Sequence, residues 1–175
     1  KIFTVASGLA SGAINRHSRF NDTGKMTIKG RTLFNYDYYK NKNPGDIDLV
    51  YLFYFIFNVT FFKIDVRMDP KVHRELLIKL GIGKKTGIDL PGESPGIIHP
   101  VEYWDELLRA TIGYGYGIAS TPIQMAAAVS AIANEGIWVT PHLIQYPEEI
   151  KNKKIITKRV LPASTARTVT SLLVE

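Results

Sequence analysis

The sequence contains no cysteine among its 175 residues, so it can form neither a disulfide bond nor a thiolate metal site. This absence is compatible with every compartment, an oxidising one included. The four histidines, His17, His73, His99 and His142, are isolated along the chain, and no two have the spacing of metal ligands. The sequence therefore gives no indication of a metal site.

The sequence also lacks an apolar run of the roughly 20 residues that a membrane span needs. The longest run, LVYLFYFIFNVTFF at 49–62, is flanked by Asp48 and Lys63. We interpret it as a buried helix, or as two helices broken near Asn58, with a membrane span as the alternative. No signal peptide is visible, and the helical patterns at both ends lack capping residues, so we interpret both ends as truncations.

Acidic residues are fewer than basic ones, 16 against 22, which gives a net charge of +6 and a pI of about 9.4. A basic protein can have nucleic acid, an anionic membrane or an acidic polymer as a neighbour. Here the basic residues are scattered and no nucleic-acid-binding motif is present, so we expect no nucleic-acid partner. The hydrophobic content of 45% supports a packed core.

The clearest predicted element is a helix that begins after Thr121. Pro122 stands at the first helical position, and Gln124 completes a capping box with Thr121. Gly136 ends the helix, and a short strand is predicted at 137–140.

Periodicity and turn residues predict the remaining elements, which alternate irregularly and indicate an α+β fold. The predicted helices are 1–14, Asp69 to Gly81, 101–111 and a final one from Pro162. A hairpin region is predicted at 19–37, a Pro/Gly loop at 81–100, a polar loop at 146–154 and a possible strand at 154–160.

Three separated stretches resemble the transpeptidase domain of class B penicillin-binding proteins, in particular the cell-division type. They are KIFTVASGLASGAI (1–14), GIGKKTGIDLPGESPG (81–96) and IGYGYGIASTPIQMAAAVSAIANEGIWVTPHLI (112–144). The resemblance implies that residues 1–175 are part of a penicillin-binding/β-lactamase-like transpeptidase fold, truncated at both ends. It implies no metal and no organic cofactor.

Family members have three catalytic motifs, of which the first is S-x-x-K. The serine is the acyl acceptor, and the lysine lies one helical turn later on the same face. By resemblance Lys1 matches this lysine, and the serine would precede the first residue of this chain. We therefore expect residues 1–175 alone to form no covalent penicillin adduct.

The second motif is S-x-N, whose side chains bind substrate and help to move protons. By spacing, Asn58 matches the asparagine, while Ile56 stands at the serine position and has no hydroxyl. Gene decay and a transcript altered before translation are two explanations, and Asn58 could also be a satisfied polar residue at a helix break. A serine restored at Ile56 would place a hydroxyl in an apolar run.

The third motif is K-T-G on a core strand. Lys85-Thr86-Gly87 matches it literally but lies in a Pro/Gly loop, which the family uses structurally, so we expect the catalytic triplet elsewhere. Asp89 and Glu93 in this loop are expected to bind backbone amides. By family position, Tyr114 and Gly115 are expected to border the substrate groove; no GK[ST] follows them, which excludes a phosphate loop.

The implied activity of the parent protein is peptidoglycan D,D-transpeptidation, in which a serine takes the acyl group of one stem peptide and passes it to another. β-Lactams would acylate the same serine, and cell-division proteins are possible partners in septal wall synthesis. The parent is expected to act on the extracytoplasmic face of a membrane, anchored by an N-terminal span that this chain does not include. The alternative is a non-catalytic, decayed remnant that acts at most as a binding or scaffold module.

Overall fold

The computed structural model describes residues 1–174, which fold into eight helices and six short strands within that range. The helices are α1 (Ile2–Ala10), α2 (Leu49–Phe55), α3 (Asn58–Asp65), α4 (Pro70–Lys79), α5 (Glu106–Gly113), α6 (Pro122–Ala133), α7 (Glu148–Lys154) and α8 (Ala163–Val174). The strands are β1 (Phe20–Asp22), β2 (Lys25–Ile28), β3 (Arg31–Phe34), β4 (Gly45–Ile47), β5 (Ile137–Val139) and β6 (Thr157–Arg159).

The strands form three antiparallel pairs rather than one large sheet. β1 pairs with β4, β2 with β3, and β5 with β6. The β2–β3 hairpin turns at Lys29 and Gly30, both of which have positive φ, as a tight hairpin turn requires. The predicted hairpin region and the α+β class are thereby confirmed.

Helix α1 lies at the centre of the molecule. Its residues from Phe3 to Gly8 are all buried, so the helix is covered on every side and not along one stripe. Phe3 and Ala6 belong to one core cluster with α4 and α6, whereas Val5 belongs to a second cluster with α2 and α3. The helix that begins at Lys1 therefore joins the two halves of the core.

The apolar run at 49–62 forms two helices, α2 and α3, with the break at Ile56 and Phe57, as the second interpretation of this run predicted. None of the helices within residues 1–174 is long and apolar enough to cross a membrane.

Two expectations about local structure are wrong. The predicted helix at 101–111 is a 3₁₀ turn at 101–103 followed by α5, because Asp105 caps a new helix through the N–H of Leu108. The predicted polar loop at 146–154 contains α7, whose first turn is acidic and whose last turn is basic, an arrangement that complements the helix dipole.

Candidate active site

Lys1 lies directly beside the segment that matches the second motif. Its Nζ donates a hydrogen bond of 3.1 Å to the carbonyl oxygen of Ile56 and stands 5.4 Å from the centre of the Phe61 ring. Burial lowers the pKa of the Lys1 side-chain amine below its ordinary value of 10.5. A lowered pKa increases the fraction of neutral amine, which is the form that accepts a proton.

Ile56 has an unusual backbone conformation for a β-branched residue. It ends α2 with φ 57° and ψ 45°, in the left-handed region, and its side chain is 47% exposed. The carbonyl oxygen of Ile56 accepts the hydrogen bond from Lys1. At the position predicted for the hydroxyl of the second motif, the partner of Lys1 is thus a main-chain oxygen.

Asn58 is the first residue of α3, and its Nδ2 donates to the carbonyl oxygen of Phe34 at 3.0 Å. Within residues 1–174 its side-chain oxygen makes no hydrogen bond, so this oxygen and the second amide hydrogen remain available to a ligand. No direct bond joins Asn58 to Lys1 in that range; the two residues are connected through the backbone at 56–58.

Tyr114 and Gly115 follow the end of α5, which packs tightly on α3. A Cβ at Gly113 would stand 2.9 Å from the Cβ of Asp65, so only glycine permits this approach. The Thr4 hydroxyl donates to the Gly113 carbonyl oxygen at 2.7 Å. A Cβ on Gly115 would lie 3.9 Å from the backbone nitrogen of Lys1, so this predicted groove residue is a neighbour of the predicted lysine.

Tyr114 also borders a cleft of about 710 Å³ between the β2–β3 hairpin and α5. Phe34, whose carbonyl oxygen binds Asn58, lines the same cleft. Burial and the nearby Tyr116 raise the pKa of the Tyr114 hydroxyl, so it remains a neutral hydrogen-bond donor near pH 7. The cleft is a concave, largely apolar space lined by one of the four predicted site residues, Tyr114, and Asn58 is joined to its wall through the Phe34 carbonyl oxygen.

The Lys85-Thr86-Gly87 triplet lies in a loop whose polar groups are already engaged. Glu93 accepts hydrogen bonds from the Thr86 hydroxyl at 2.6 Å, from the Thr86 N–H at 2.6 Å and from the Gly87 N–H at 3.0 Å. Asp89 likewise accepts from the backbone N–H groups of Leu143 and Ile144. The predicted role of both acidic residues, binding backbone amides, is confirmed.

The serine within α1, Ser7, and the serine that ends it, Ser11, are unsuited to nucleophilic attack. Ser7 is fully buried, and Ser11 donates its hydroxyl to the Gly8 carbonyl oxygen at 3.2 Å. No group of three or more potential metal-ligating side chains lies together in the part of the chain that the structure describes.

Sequence reasoning missed a buried group of polar side chains under the site. His73 Nδ1 lies 2.5 Å from Asp65 Oδ1, and Arg109 Nε donates to Asp65 Oδ2 at 3.3 Å. Asp65 and His73 are fully buried. The three residues come from α3, α4 and α5, and nothing in their spacing along the chain indicates that they meet.

Comparison with known proteins gives a consistent result over the whole chain. A family model described as "Penicillin binding protein transpeptidase domain" matches residues 1–175. Penicillin-binding protein PbpB of Mycobacterium tuberculosis is 35% identical over 124 residues, which are 66% of this chain and 18% of that protein. Stage V sporulation protein D of Bacillus subtilis is 31% identical over 160 residues, 91% of this chain and 24% of that protein.

Peptidoglycan D,D-transpeptidase FtsI of Escherichia coli is 28% identical over 116 residues, 66% of this chain and 19% of that protein. The chain thus spans about a quarter or less of the length of these relatives.

Solved structures agree with the fold. A peptidoglycan glycosyltransferase from Burkholderia ambifaria superposes with a TM-score of 0.86 at 23% identity, covering 98% of this chain and 52% of that one. Penicillin binding protein 3 from Mycobacterium tuberculosis, in complex with ampicillin, superposes with a TM-score of 0.82 at 26% identity, covering 99% and 40%.

Proposed function

The chain belongs to the penicillin-binding protein transpeptidase domain family, of the class B type, and from this premise we propose that it is part of a serine-type D,D-transpeptidase. In this proposal Lys1 is the lysine of the first motif and Asn58 the asparagine of the second. Tyr114 and Gly115 border the groove for peptidoglycan stem peptides and for β-lactams.

The observation that supports the proposal is the approach of the Lys1 amine to the 56–58 segment. The amine is partly buried, its pKa is lowered, and it is held 3.1 Å from the Ile56 carbonyl oxygen. An amine in a fixed position whose pKa is lowered is better suited than an ordinary lysine to act as general base for an adjacent serine hydroxyl.

The test is the acylation rate of the full-length gene product with a fluorescent penicillin. Lys1→Met removes the base and should slow acylation by about 10²–10⁴-fold. Lys85→Met is the matched control, because it changes the lysine of the loop-bound K-T-G triplet at 85–87, which we expect not to be catalytic, and should leave the rate unchanged. Equal rates for Lys1→Met and wild type, or a large loss in Lys85→Met, would contradict the assignment.

A second candidate function is that of a non-catalytic binding module. The absence of a hydroxyl at Ile56 favours it, because a proton relay that uses the second-motif serine has no group there. Ile56→Ser in the full-length gene product distinguishes the two. Acylation that begins or accelerates in the variant supports an enzyme weakened at this position, whereas a folded variant that still binds no penicillin covalently supports the binding module.

We also propose that the protein acts in septal wall synthesis on the extracytoplasmic face of a membrane, together with cell-division proteins. The support is its similarity to the relatives above. A fluorescent fusion of the full-length gene product should then accumulate at the division site, and uniform distribution over the cell surface would argue against it.

A further inference from the structure

A fully enclosed polar network lies beneath Asn58. Asp22, Asn35 and Thr60 are respectively 0%, 3% and 0% exposed. Oδ1 of Asp22 accepts from the Gly24 N–H and from Asn35 Nδ2, both at 2.7 Å, and Oδ2 accepts from the Thr60 hydroxyl at 2.6 Å. Every oxygen of this buried carboxyl therefore has a donor, as a stable buried network requires.

Asn35 extends this network to the start of α3. Phe57, the N-cap residue of α3, makes no side-chain capping bond, so the first N–H groups of the helix need another acceptor. Oδ1 of Asn35 accepts from the Val59 N–H at 3.0 Å. A side chain from the end of β3 thus caps a helix that lies 24 residues later in the chain.

A second hydrogen bond joins the end of β3 to the start of α3. The carbonyl oxygen of Phe34, next to Asn35, accepts from Asn58 Nδ2, next to Val59. Two adjacent hydrogen bonds therefore join 34–35 to 58–59, one fixing the backbone of α3 and the other the side chain of Asn58.

We infer that Asn35 is a positioning residue for Asn58, and that Asp22 and Thr60 hold Asn35 in place. Asn35 must donate to a carboxyl group with one end of its side chain and accept from an N–H with the other. Among side chains of this length only an amide does both. The catalytic consequence rests on the proposed function, whereas the placement of Asn58 does not.

The first measurement is the ¹H–¹⁵N resonance of the Asn58 side-chain amide in the full-length gene product labelled with ¹⁵N-asparagine. Asn35→Leu removes the hydrogen bonds of the Asn35 side chain to Asp22 and to the Val59 N–H. It should shift the Asn58 amide resonance and speed the exchange of its amide hydrogens with water about tenfold or more. Thr60→Val, which keeps the shape of the side chain and removes one donor to Asp22, should shift it in the same direction by less.

The rescue variant exchanges the two partners. In the double variant Asp22→Asn, Asn35→Asp, the amide at 22 can donate to the carboxylate at 35, which still accepts from the Val59 N–H, but the Gly24 N–H then loses its acceptor because it shared Oδ1 of Asp22 with Asn35. The single change Asn35→Asp instead places two carboxyl groups against each other inside the protein. The double variant should therefore move the Asn58 resonance that Asn35→Asp disturbs part of the way back to its wild-type position.

The second measurement is the rate of penicillin acylation, with Glu93→Gln as a control that weakens a different loop. Asn35→Leu should lose about as much rate as Asn58→Ala, and combining the two should cost little more than either alone. Glu93→Gln should leave both the Asn58 resonance and the rate unchanged.

The outcomes separate the two proposals. A wild-type protein that is never acylated overturns the proposed function, while a shifted Asn58 resonance still supports the positioning role of Asn35. A folded Asn35→Leu or Thr60→Val protein in which that resonance does not move overturns the positioning role, whatever the acylation rate.

Discussion

At the scale of single residues, Ile56 combines two departures from what is usual. It has no hydroxyl at the position that we propose for the serine of the second motif, and it holds a left-handed conformation that L-residues with a branched Cβ rarely adopt. Such conformations cost about 1–3 kcal/mol and persist where the surrounding structure imposes them. Here the result is a carbonyl oxygen directed at Lys1.

Replacing Ile56 by glycine should stabilise the protein. Glycine adopts the left-handed region without steric cost, so Ile56→Gly should raise the free energy of unfolding by about 1 kcal/mol after the entropy lost by glycine is included. The matched control is Val66→Gly: Val66 also ends a helix and is 42% exposed, but its φ is −68°. That variant should lose about 1 kcal/mol. Chemical denaturation of the three proteins measures the difference, and a loss in both variants would show that Ile56 is not strained.

The sequence proposes site residues without showing how they are arranged. Lys1, Asn58, Tyr114 and Gly115 are predicted from resemblance to the family motifs, and the structure places Gly115 beside Lys1. The bond from Lys1 to a backbone oxygen cannot be read from residue types, because any residue at position 56 has that carbonyl group. The exposure of Ile56 was also unexpected: within an apolar run a buried side chain is the natural expectation, yet the helix break turns this one outward.

At the scale of elements, the sequence of helix α6 contains every local signal that is needed to predict where the helix begins. The predicted capping box is present, with Gln124 N–H donating to the Thr121 hydroxyl and Thr121 N–H donating to Gln124 Oε1. What the sequence could not show is that Gln124 is fully buried and that its Nε2 also donates to the carbonyl oxygens of Lys84 and Pro95. The start of α6 therefore holds the 84–95 loop in place.

We expect Gln124 to contribute more to the free energy of unfolding than the capping residue Thr121 does. Thr121→Ala should lower the free energy of unfolding by about 1 kcal/mol. Gln124→Ala should lower it by about 2–3 kcal/mol, because two carbonyl oxygens lose their donor as well. The midpoints of urea denaturation of the two variants provide the measurement, and equal losses would indicate that the loop is held by other contacts.

The 84–96 loop should make stability depend on pH. Burial alone would raise the pKa of Glu93, but hydrogen bonds from the Thr86 hydroxyl and from the Thr86 and Gly87 N–H groups outweigh it and lower the pKa below the ordinary 4.5. The unfolded state then binds the proton more tightly, so this contribution is present above pH 4.5 and is lost as the pH falls through the folded-state pKa.

Denaturation midpoints measured between pH 7 and pH 3 test this. The fall in stability should be smaller in Glu93→Gln than in the wild type, and Glu149→Gln, on exposed α7, should follow the wild type. Parallel curves for all three proteins would assign the acid sensitivity to other carboxyl groups.

At the scale of the whole molecule, Asp65 connects three helices. Its carboxyl group meets His73 of α4 and Arg109 of α5, and the Arg109 guanidinium also donates to the carbonyl oxygens of Asp65 and Met68. The periodicity of each helix is visible in the sequence, but their mutual packing depends on contacts between residues 8 to 44 positions apart. This is why the helices were predictable and their arrangement was not.

Removing this buried carboxyl group should be among the most damaging single changes. Asp65→Ala leaves Arg109 without its buried partner and should lower the free energy of unfolding by about 3–5 kcal/mol. Asp46→Ala removes the partner of Arg19 in an exposed ion pair that solvent screens, and should have little effect on stability. Thermal unfolding of both variants gives the comparison, and similar losses would contradict a structural role for Asp65.

The central position of α1 has a consequence for how the protein is made. Val5 shares a core cluster with Leu172, so the first helix cannot complete its packing until nearly the whole segment has been delivered from the ribosome or a translocon. At about 5–20 residues per second this delay is roughly 9–34 s. During that time α1, whose residues from Phe3 to Gly8 are all buried in the folded protein, has no partners, and we expect holdase chaperones to bind it in preference to the other helices of residues 1–174.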